Sequence, residues 1–149
     1  MILYLDDCAL VKSYVEEPGS ADTLTLINQA DISGTAIVTR AGVAAGLAKA
    51  RRRGALSQKE ADEAIALFHQ EWPQLVHVMA SEVVVARADS LAWEYTLRGY
   101  DAVHLASALV WQETLASPIT LATFDKALWK AAKAVNIDVW PKNLPEMHA

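Results

Sequence analysis

The run Met1-Ile2-Leu3-Tyr4-Leu5-Asp6-Asp7 is a short apolar segment that ends in two carboxylates. A continuous apolar run of this length is typical of a strand buried on both faces of a parallel sheet. No basic segment stands before it, so the pattern favours a strand over a secretory signal peptide. A similar arrangement returns late in the chain, where the apolar residues 118–122 are followed by Thr123-Phe124-Asp125. Both runs therefore predict strands that lead directly into acidic residues.

Helical stretches alternate with the apolar runs along the chain. Ser57-Gln58-Lys59-Glu60 is a capping box at the start of one helix, and Gly54 ends the helix before it. The remaining strands are predicted within residues 31–38, 75–79 and 137–140. The remaining helices are predicted at residues 9–15, after a cap at Ser20, at 39 to about 53, after Ser81, at 101 to about 112, and at 126–134. This order predicts an α/β fold, a three-layer α/β/α sandwich with a central, mostly parallel sheet, in a single domain spanning residues 1–149.

The composition excludes several classes of protein. Hydrophobic residues make up 53% of the 149 positions, which favours a folded globular domain over disorder. Because Cys8 is the only cysteine, the sequence forms no intrachain disulfide, cysteine zinc cluster or Cys-x-x-Cys redox pair. No apolar run is long enough for a membrane span, so we expect a cytosolic protein without a membrane partner. A net charge of −5 argues against a broad basic surface for nucleic acid, yet it suits a site built from carboxylates.

Three aspartates stand where an open α/β sheet places its ligand site. Asp6 and Asp125 follow predicted strands, and Asp101 begins a predicted helix. Ligands bind beyond the carboxyl ends of parallel strands, and carboxylates suit hard cations such as Mg²⁺. Each aspartate also has an ordinary explanation as a helix N-cap. We expect the three carboxylates to converge at one acidic pocket and to raise one another's proton affinity.

Four short motifs, in order along nearly the whole chain, resemble those of the PIN domain family, the metal-dependent ribonuclease fold of VapC-type toxins. They are Leu5-Asp6-Asp7-Cys8-Ala9-Leu10-Val11-Lys12, Thr39-Arg40-Ala41-Gly42-Val43, Arg98-Gly99-Tyr100-Asp101-Ala102-Val103-His104 and Thr123-Phe124-Asp125-Lys126-Ala127-Leu128. The resemblance implies an endoribonuclease in which Asp6, Asp101 and Asp125 are catalytic and bind Mg²⁺ or Mn²⁺. It also implies an RNA substrate, a cognate antitoxin protein that blocks the site, and a homodimer.

Two positions depart from the family pattern. Gly42 stands where the family carries its second acidic residue, and no Asp or Glu lies between Asp31 and Glu60. Asp7 replaces the usual hydroxyl residue after the first aspartate, either as a compensating carboxylate or as one that points to solvent. The alternative to an impaired endoribonuclease is a catalytically inactive PIN-like binding protein.

Gly42 admits two explanations. If it marks a lost metal ligand, Gly42→Glu is expected to raise both metal affinity and RNA cleavage. If it is a packing residue, it shares a helix face with Gly46, and small side chains there let another element approach closely. On that second account Gly42→Glu clashes with its neighbour and destabilises the protein.

Other residues carry weaker patterns. His104 lies one helical turn from Asp101, so it either shares a metal with that carboxylate or, as we favour, is a core histidine. Lys49 and the three arginines at 51–53 either complement a helix dipole or contact RNA phosphates. Thr123 either orients a carboxylate or is an ordinary strand-end threonine. A phosphorylation receiver domain would need an aspartate near residues 51–56, and none is present.

Overall fold

The computed structural model describes residues 1–144, which form five strands and seven α-helices. The elements in chain order are β1 (Ile2–Leu5), α1 (Asp7–Val11), α2 (Ser20–Gln29), β2 (Ile32–Ala36), α3 (Thr39–Arg52), α4 (Gln58–Glu71), β3 (Val76–Val78), α5 (Glu82–Tyr95), α6 (Gly99–Leu115), β4 (Thr120–Ala122), α7 (Lys126–Ala134) and β5 (Asp138–Trp140). A short 3-10 turn, Trp72–Gln74, follows α4. Within the described residues, no helix is both long enough and apolar enough to cross a membrane.

All five strands are parallel, and their order across the sheet is β3-β2-β1-β4-β5. The chain builds outward from β1 to β3, then crosses back and places β4 on the other side of β1. The winding direction therefore reverses between β1 and β4, where Leu5 pairs with Ala122. An open parallel sheet has its ligand crevice at such a reversal, beyond the carboxyl ends of the strands. Asp6 follows β1 directly, and Asp125 lies three residues after β4.

The sheet separates two hydrophobic cores. The alternation of side chains along β1 decides the division, since Tyr4 points to one face while Leu3 and Leu5 point to the other. Helices α5, α6 and α7 cover the Tyr4 face, whereas α1, α2, α3 and α4 cover the Leu3 face. Burial on both faces explains why β1 is a continuous apolar run. The predicted three-layer α/β/α sandwich with a parallel sheet is confirmed.

The predicted cap at Ser20 is wrong, and the alternative explanation of Asp101 as a helix cap does not hold. Asp101 lies inside the first turn of α6, because that helix begins at Gly99 and extends to Leu115. Ser20 is the first residue of α2, and its hydroxyl donates a hydrogen bond to the backbone carbonyl of Val15. Gly19 holds the cap position instead, at a φ of 93° that favours glycine.

The first helix is also shorter than the predicted residues 9–15, since α1 ends at Val11. After Val11, the backbone N–H groups of Ser13 and Tyr14 donate hydrogen bonds to the carbonyl oxygens three residues earlier in the chain, so this segment forms turns instead of a longer α-helix. Other local signals are confirmed. Ser57 and Glu60 exchange both hydrogen bonds of the capping box, and Gly54 follows α3 at a φ of 80°.

Candidate active site

Asp6 is buried at the carboxyl end of β1, with 1% of its surface exposed. Its Oδ1 accepts a hydrogen bond from the backbone N–H of Ala9 at 2.8 Å and so caps α1. Its Oδ2 accepts a hydrogen bond from the hydroxyl of Thr123, which follows β4. Burial raises the pKa of Asp6 to about 6, although His104 and Thr123 act in the opposite direction. The carboxylate is therefore held on both oxygens in a place where ionisation is costly without a cation.

Thr123 connects Asp6 to Asp125. Its Oγ1 also accepts a hydrogen bond from the backbone N–H of Asp125 at 3.0 Å. Asp125 in turn caps α7, because its Oδ1 accepts a hydrogen bond from the backbone N–H of Leu128 at 2.9 Å. This geometry supports the interpretation of Thr123 as a residue that orients a carboxylate, and it leaves Asp125 Oδ2 for another partner.

Arg98 joins Asp101 to Asp125. Its Nε donates to Asp101 Oδ2 at 2.9 Å, and its Nη2 donates to Asp125 Oδ2 at 2.8 Å. Burial raises the pKa of Asp101, and the charge of Asp125 raises it further, whereas Arg98 lowers it. The Arg98 side chain is 76% exposed and stands at the start of α6. One exposed guanidinium thus lies against two carboxylates that repel each other.

Cys8 shows independently that the carboxylates converge. Desolvation raises the pKa of its thiol far above the usual range, and Asp6, Asp7, Asp125 and Asp101 each raise it further. Thr123 and Arg98 thus link the three predicted aspartates, whereas the possible ligand atoms that lie within 4.8 Å of one another in the described part of the chain are those of Asp6, Asp7 and Cys8. The expected increase in proton affinity from neighbouring carboxylates is found for Asp101. These shifts favour the protonated thiol when no cation is bound, and the donors predicted from the sequence are carboxylate oxygens.

His104 is a core histidine, as the sequence favoured, but it also contacts the site. Its ring is 1% exposed, and Nδ1 lies 2.8 Å from the hydroxyl of Tyr4. Its Nε2 lies 3.2 Å from Asp7 Oδ1. The His104 ring lowers the pKa of Asp7, whose side chain remains 31% exposed. A buried imidazole therefore lies beside a carboxylate that reaches solvent.

Gly42 lies on α3 where that helix passes α1. A Cβ atom at this position would lie 2.7 Å from Asp7 Oδ2 and 2.9 Å from Asp7 Cβ. One turn later, a Cβ atom at Gly46 would lie 2.7 Å from Cγ2 of Val11. The small-residue face of α3 therefore packs against α1, as the packing explanation requires. The same contact places Gly42 beside an acidic residue of the site.

A groove of about 360 Å³ runs beside Asp7 and Gly42, and we call it the basic groove. Lys49 and Arg53 line it from the end of α3, and Lys12 lines it from the other side. Cations next to clustered carboxylates suit a phosphate chain that approaches a bound metal. Part of the basic cluster identified in the sequence thus faces the site.

Comparison with known proteins agrees with this geometry. The PIN domain family model matches residues 3–134. The chain belongs to the PIN domain family. It is 32% identical over 144 residues to Ribonuclease VapC45 of Mycobacterium tuberculosis (strain CDC 1551 / Oshkosh), a match that covers 96% of this chain and 97% of that relative.

Solved structures show the same PIN fold. VapBC2 from Rickettsia felis, bound to a DNA fragment from its promoter, matches with a TM-score of 0.62 and 15% identity, covering 93% of this chain and 97% of that one. A toxin–antitoxin complex from Klebsiella pneumoniae matches with a TM-score of 0.61 and 16% identity, covering 83% and 86%. At these identities the likeness shows the fold alone.

Sequence reasoning missed two features of the site. Arg98 was part of a quoted motif, and its position three residues before Asp101 is a spacing at which side chains on a helix meet. The contact between Asp7 and Gly42 could have been suspected from the sequence, because both positions depart from the family pattern in the same chain.

Proposed function

We propose that this protein is a metal-dependent endoribonuclease toxin of the PIN type, with Asp6, Asp101 and Asp125 as its catalytic residues. The observation that carries the proposal is the convergence of carboxylates from three separate elements at the reversal between β1 and β4. The similarity to a relative named as a ribonuclease supports the substrate class.

The donor set fits a hard divalent cation. The three proposed ligands are all carboxylates, which suit Mg²⁺ or Mn²⁺. Asp6, Asp101 and Asp125 would hold the ion, and because burial raises the pKa values of Asp6 and Asp101, a bound cation would offset the cost of ionising them. When bound, such a metal lowers the pKa of its water and stabilises charge on a phosphate.

The protein's own residues position these groups. Thr123 fixes the Asp6 carboxylate and the backbone of Asp125, so both stay in place without rearrangement. Lys49 and Arg53 in the basic groove would bind the RNA backbone on one side of the carboxylates. This local basic surface reconciles RNA binding with the net charge of −5.

An antitoxin is the protein partner that we propose. An apolar groove of about 410 Å³, here called the α5–α6 groove, is lined by residues such as Val85, Ala92, Tyr100 and Val103. Tyr100 and Ala102 flank Asp101 in sequence, so an occupant of this groove would lie next to the site. The structural likeness to a toxin–antitoxin complex supports an antitoxin as a partner, and we propose this groove as its binding site because the groove is apolar and exposed. We also propose a homodimer.

A nuclease assay tests the function. Purified protein is expected to cleave single-stranded RNA with Mg²⁺ or Mn²⁺ and to stop when EDTA is added, because the carboxylates need a cation to act on phosphate. Asp101→Asn keeps the size of the side chain and removes its charge, so it should abolish the metal-dependent cleavage. Cleavage that persists in both EDTA and Asp101→Asn would reject the metal-dependent mechanism.

The second candidate, an inactive PIN-like binding protein, rests on Gly42, which removes the family's second acidic residue. It predicts a different outcome in the same assay. The wild-type chain would then leave RNA intact even at high metal concentration, while still binding its protein partner.

Arg98→Ala is expected to raise the affinity for Mn²⁺ roughly fivefold, because a unit charge about 4 Å away is worth about 1 kcal/mol even in water. Arg98 occupies one oxygen each of Asp101 and Asp125 and neutralises part of their charge. Isothermal titration with Mn²⁺ measures the change. Arg87→Ala is the matched control, since Arg87 forms an exposed pair with Glu113 instead. Weaker Mn²⁺ binding by Arg98→Ala would instead mean that Arg98 holds the carboxylates in place.

A further inference from the structure

The two departures from the family pattern face each other in space. Asp7 opens α1 and Gly42 lies in the first turns of α3, and these helices pack together. A Cβ atom at position 42 would lie 2.7 Å from Asp7 Oδ2 and 3.1 Å from Asp7 Cγ. The Asp7 carboxylate thus stands in the space where a side chain at position 42 would begin.

This contact puts the two acidic positions in steric conflict. A separation below 3.0 Å is too short for a Cβ atom, so a glutamate at position 42 would require Asp7 to move. The short separations include Asp7 Cβ, at 2.9 Å, so rotation of the carboxylate alone does not relieve the overlap. Any account of Gly42 must therefore include Asp7.

We infer that Asp7 is the fourth carboxylate of the metal site and that Gly42 provides the space that admits it. The inference rests on the proposed function, since it concerns the same metal. On this account the exchange of two residues moves one acidic group from α3 to α1 and preserves the number of carboxylates. Gly42 is then a consequence of Asp7 and not a lesion that removed activity.

Three further observations support a ligand role for Asp7. Asp6, Asp7 and Cys8 each offer a ligand atom, and these atoms lie within 4.8 Å of one another. His104 Nε2 lies 3.2 Å from Asp7 Oδ1, and this buried nitrogen forms no hydrogen bond within the described residues. The Asp7 side chain remains 31% exposed, and it lines the basic groove through which RNA would approach.

A cycle of single and double substitutions tests the inference with Mn²⁺ alone as the probe. Asp7→Ser is expected to lower Mn²⁺ affinity on the order of tenfold or more, since the site loses a charged ligand. Asp7→Asn removes the charge and keeps the shape of the side chain. It should therefore lose as much Mn²⁺ affinity as Asp7→Ser does, while its melting temperature in EDTA stays at the wild-type value.

Gly42→Glu alone should lower the melting temperature by about 3 to 10 °C, the result of overpacking against Asp7. It should not raise Mn²⁺ affinity. The double variant Asp7→Ser with Gly42→Glu should recover part of both losses, because serine removes the carboxylate atoms that lie 2.7 and 3.1 Å from a Cβ atom at position 42, while the Cβ atom of residue 7 remains. Its effects would then be far from the sum of the single effects.

The outcomes distinguish this inference from the proposed function. If Asp101→Asn loses Mn²⁺ binding while Asp7→Asn and Asp7→Ser retain it, the metal site stands and the role of Asp7 is rejected. If Asp101→Asn also retains it, the proposed metal site itself fails. Gly42→Glu that folds normally and binds Mn²⁺ more tightly would overturn the inference in favour of a lost ligand.

Discussion

Asp6→Asn is expected to reduce metal-dependent cleavage by at least about 100-fold, because it neutralises the most deeply buried of the proposed metal ligands. Asparagine has nearly the same shape and can still accept the hydrogen bond from the backbone N–H of Ala9 that caps α1. Its amide nitrogen replaces the oxygen that accepts from Thr123 and can only donate to that hydroxyl, so the substitution removes the charge and reverses one hydrogen bond. Initial rates on a labelled RNA, measured over a range of Mn²⁺ concentrations, give the size of the effect.

The same substitution is expected to stabilise the metal-free protein at neutral pH. Burial raises the pKa of Asp6 to about 6 from an ordinary value of 3.8, so the folded state favours the protonated form. The stability that this preference provides is complete below about pH 4 and is lost as the pH rises through 6. Asp6→Asn stays neutral throughout, so it should show no such loss.

Melting temperatures in EDTA between pH 5 and pH 8 test this linkage. The advantage of Asp6→Asn over the wild type should widen as the pH rises through about 6, the pKa of Asp6, and then level off. Other titrating groups are common to both proteins, so the difference between them isolates Asp6. A constant difference across the range would show that Asp6 does not titrate with a raised pKa.

The parts of this structure that sequence could predict are those that local chemistry determines. β1 is recognisable because burial on both faces requires a continuous apolar run. Asp6 and Asp125 could be assigned to one edge of the sheet because parallel strands all point their carboxyl ends the same way. The capping box at Ser57 needs only residues within one turn, and it was predicted correctly.

The parts that sequence could not predict depend on how distant elements pack. Arg98 meets Asp125, 27 residues away, only because α6 begins beside the end of β4. The overlap of Asp7 with position 42 exists only because α1 lies across α3. The sequence shows a glycine at position 42 in either case, whether a ligand was lost or a close contact is needed. Only the position of α1 against α3 shows that a close contact exists.

The α5–α6 groove leads to a prediction about the protein partner. Val85 lines this groove and is 46% exposed, so its side chain is available to an occupant without being part of the core. An aspartate there would place a charge in an apolar surface that the partner must desolvate. Loss of a central contact in an interface commonly costs 2 kcal/mol or more, which corresponds to at least about a 30-fold weaker complex.

Val83→Asp is the matched control for Val85→Asp. Val83 lies on the same helix and is 72% exposed, but it does not line the groove. Tagged proteins purified from the native host should recover a small partner with the wild type and with Val83→Asp, but not with Val85→Asp.

Light scattering on the same samples distinguishes the two proposed partners, the antitoxin and a second copy of this chain. If Val85→Asp keeps the antitoxin but becomes monomeric, the groove is the contact between two copies of this chain. If both variants keep the antitoxin and an unchanged oligomeric state, the α5–α6 groove binds neither partner, and the antitoxin must bind elsewhere on the protein.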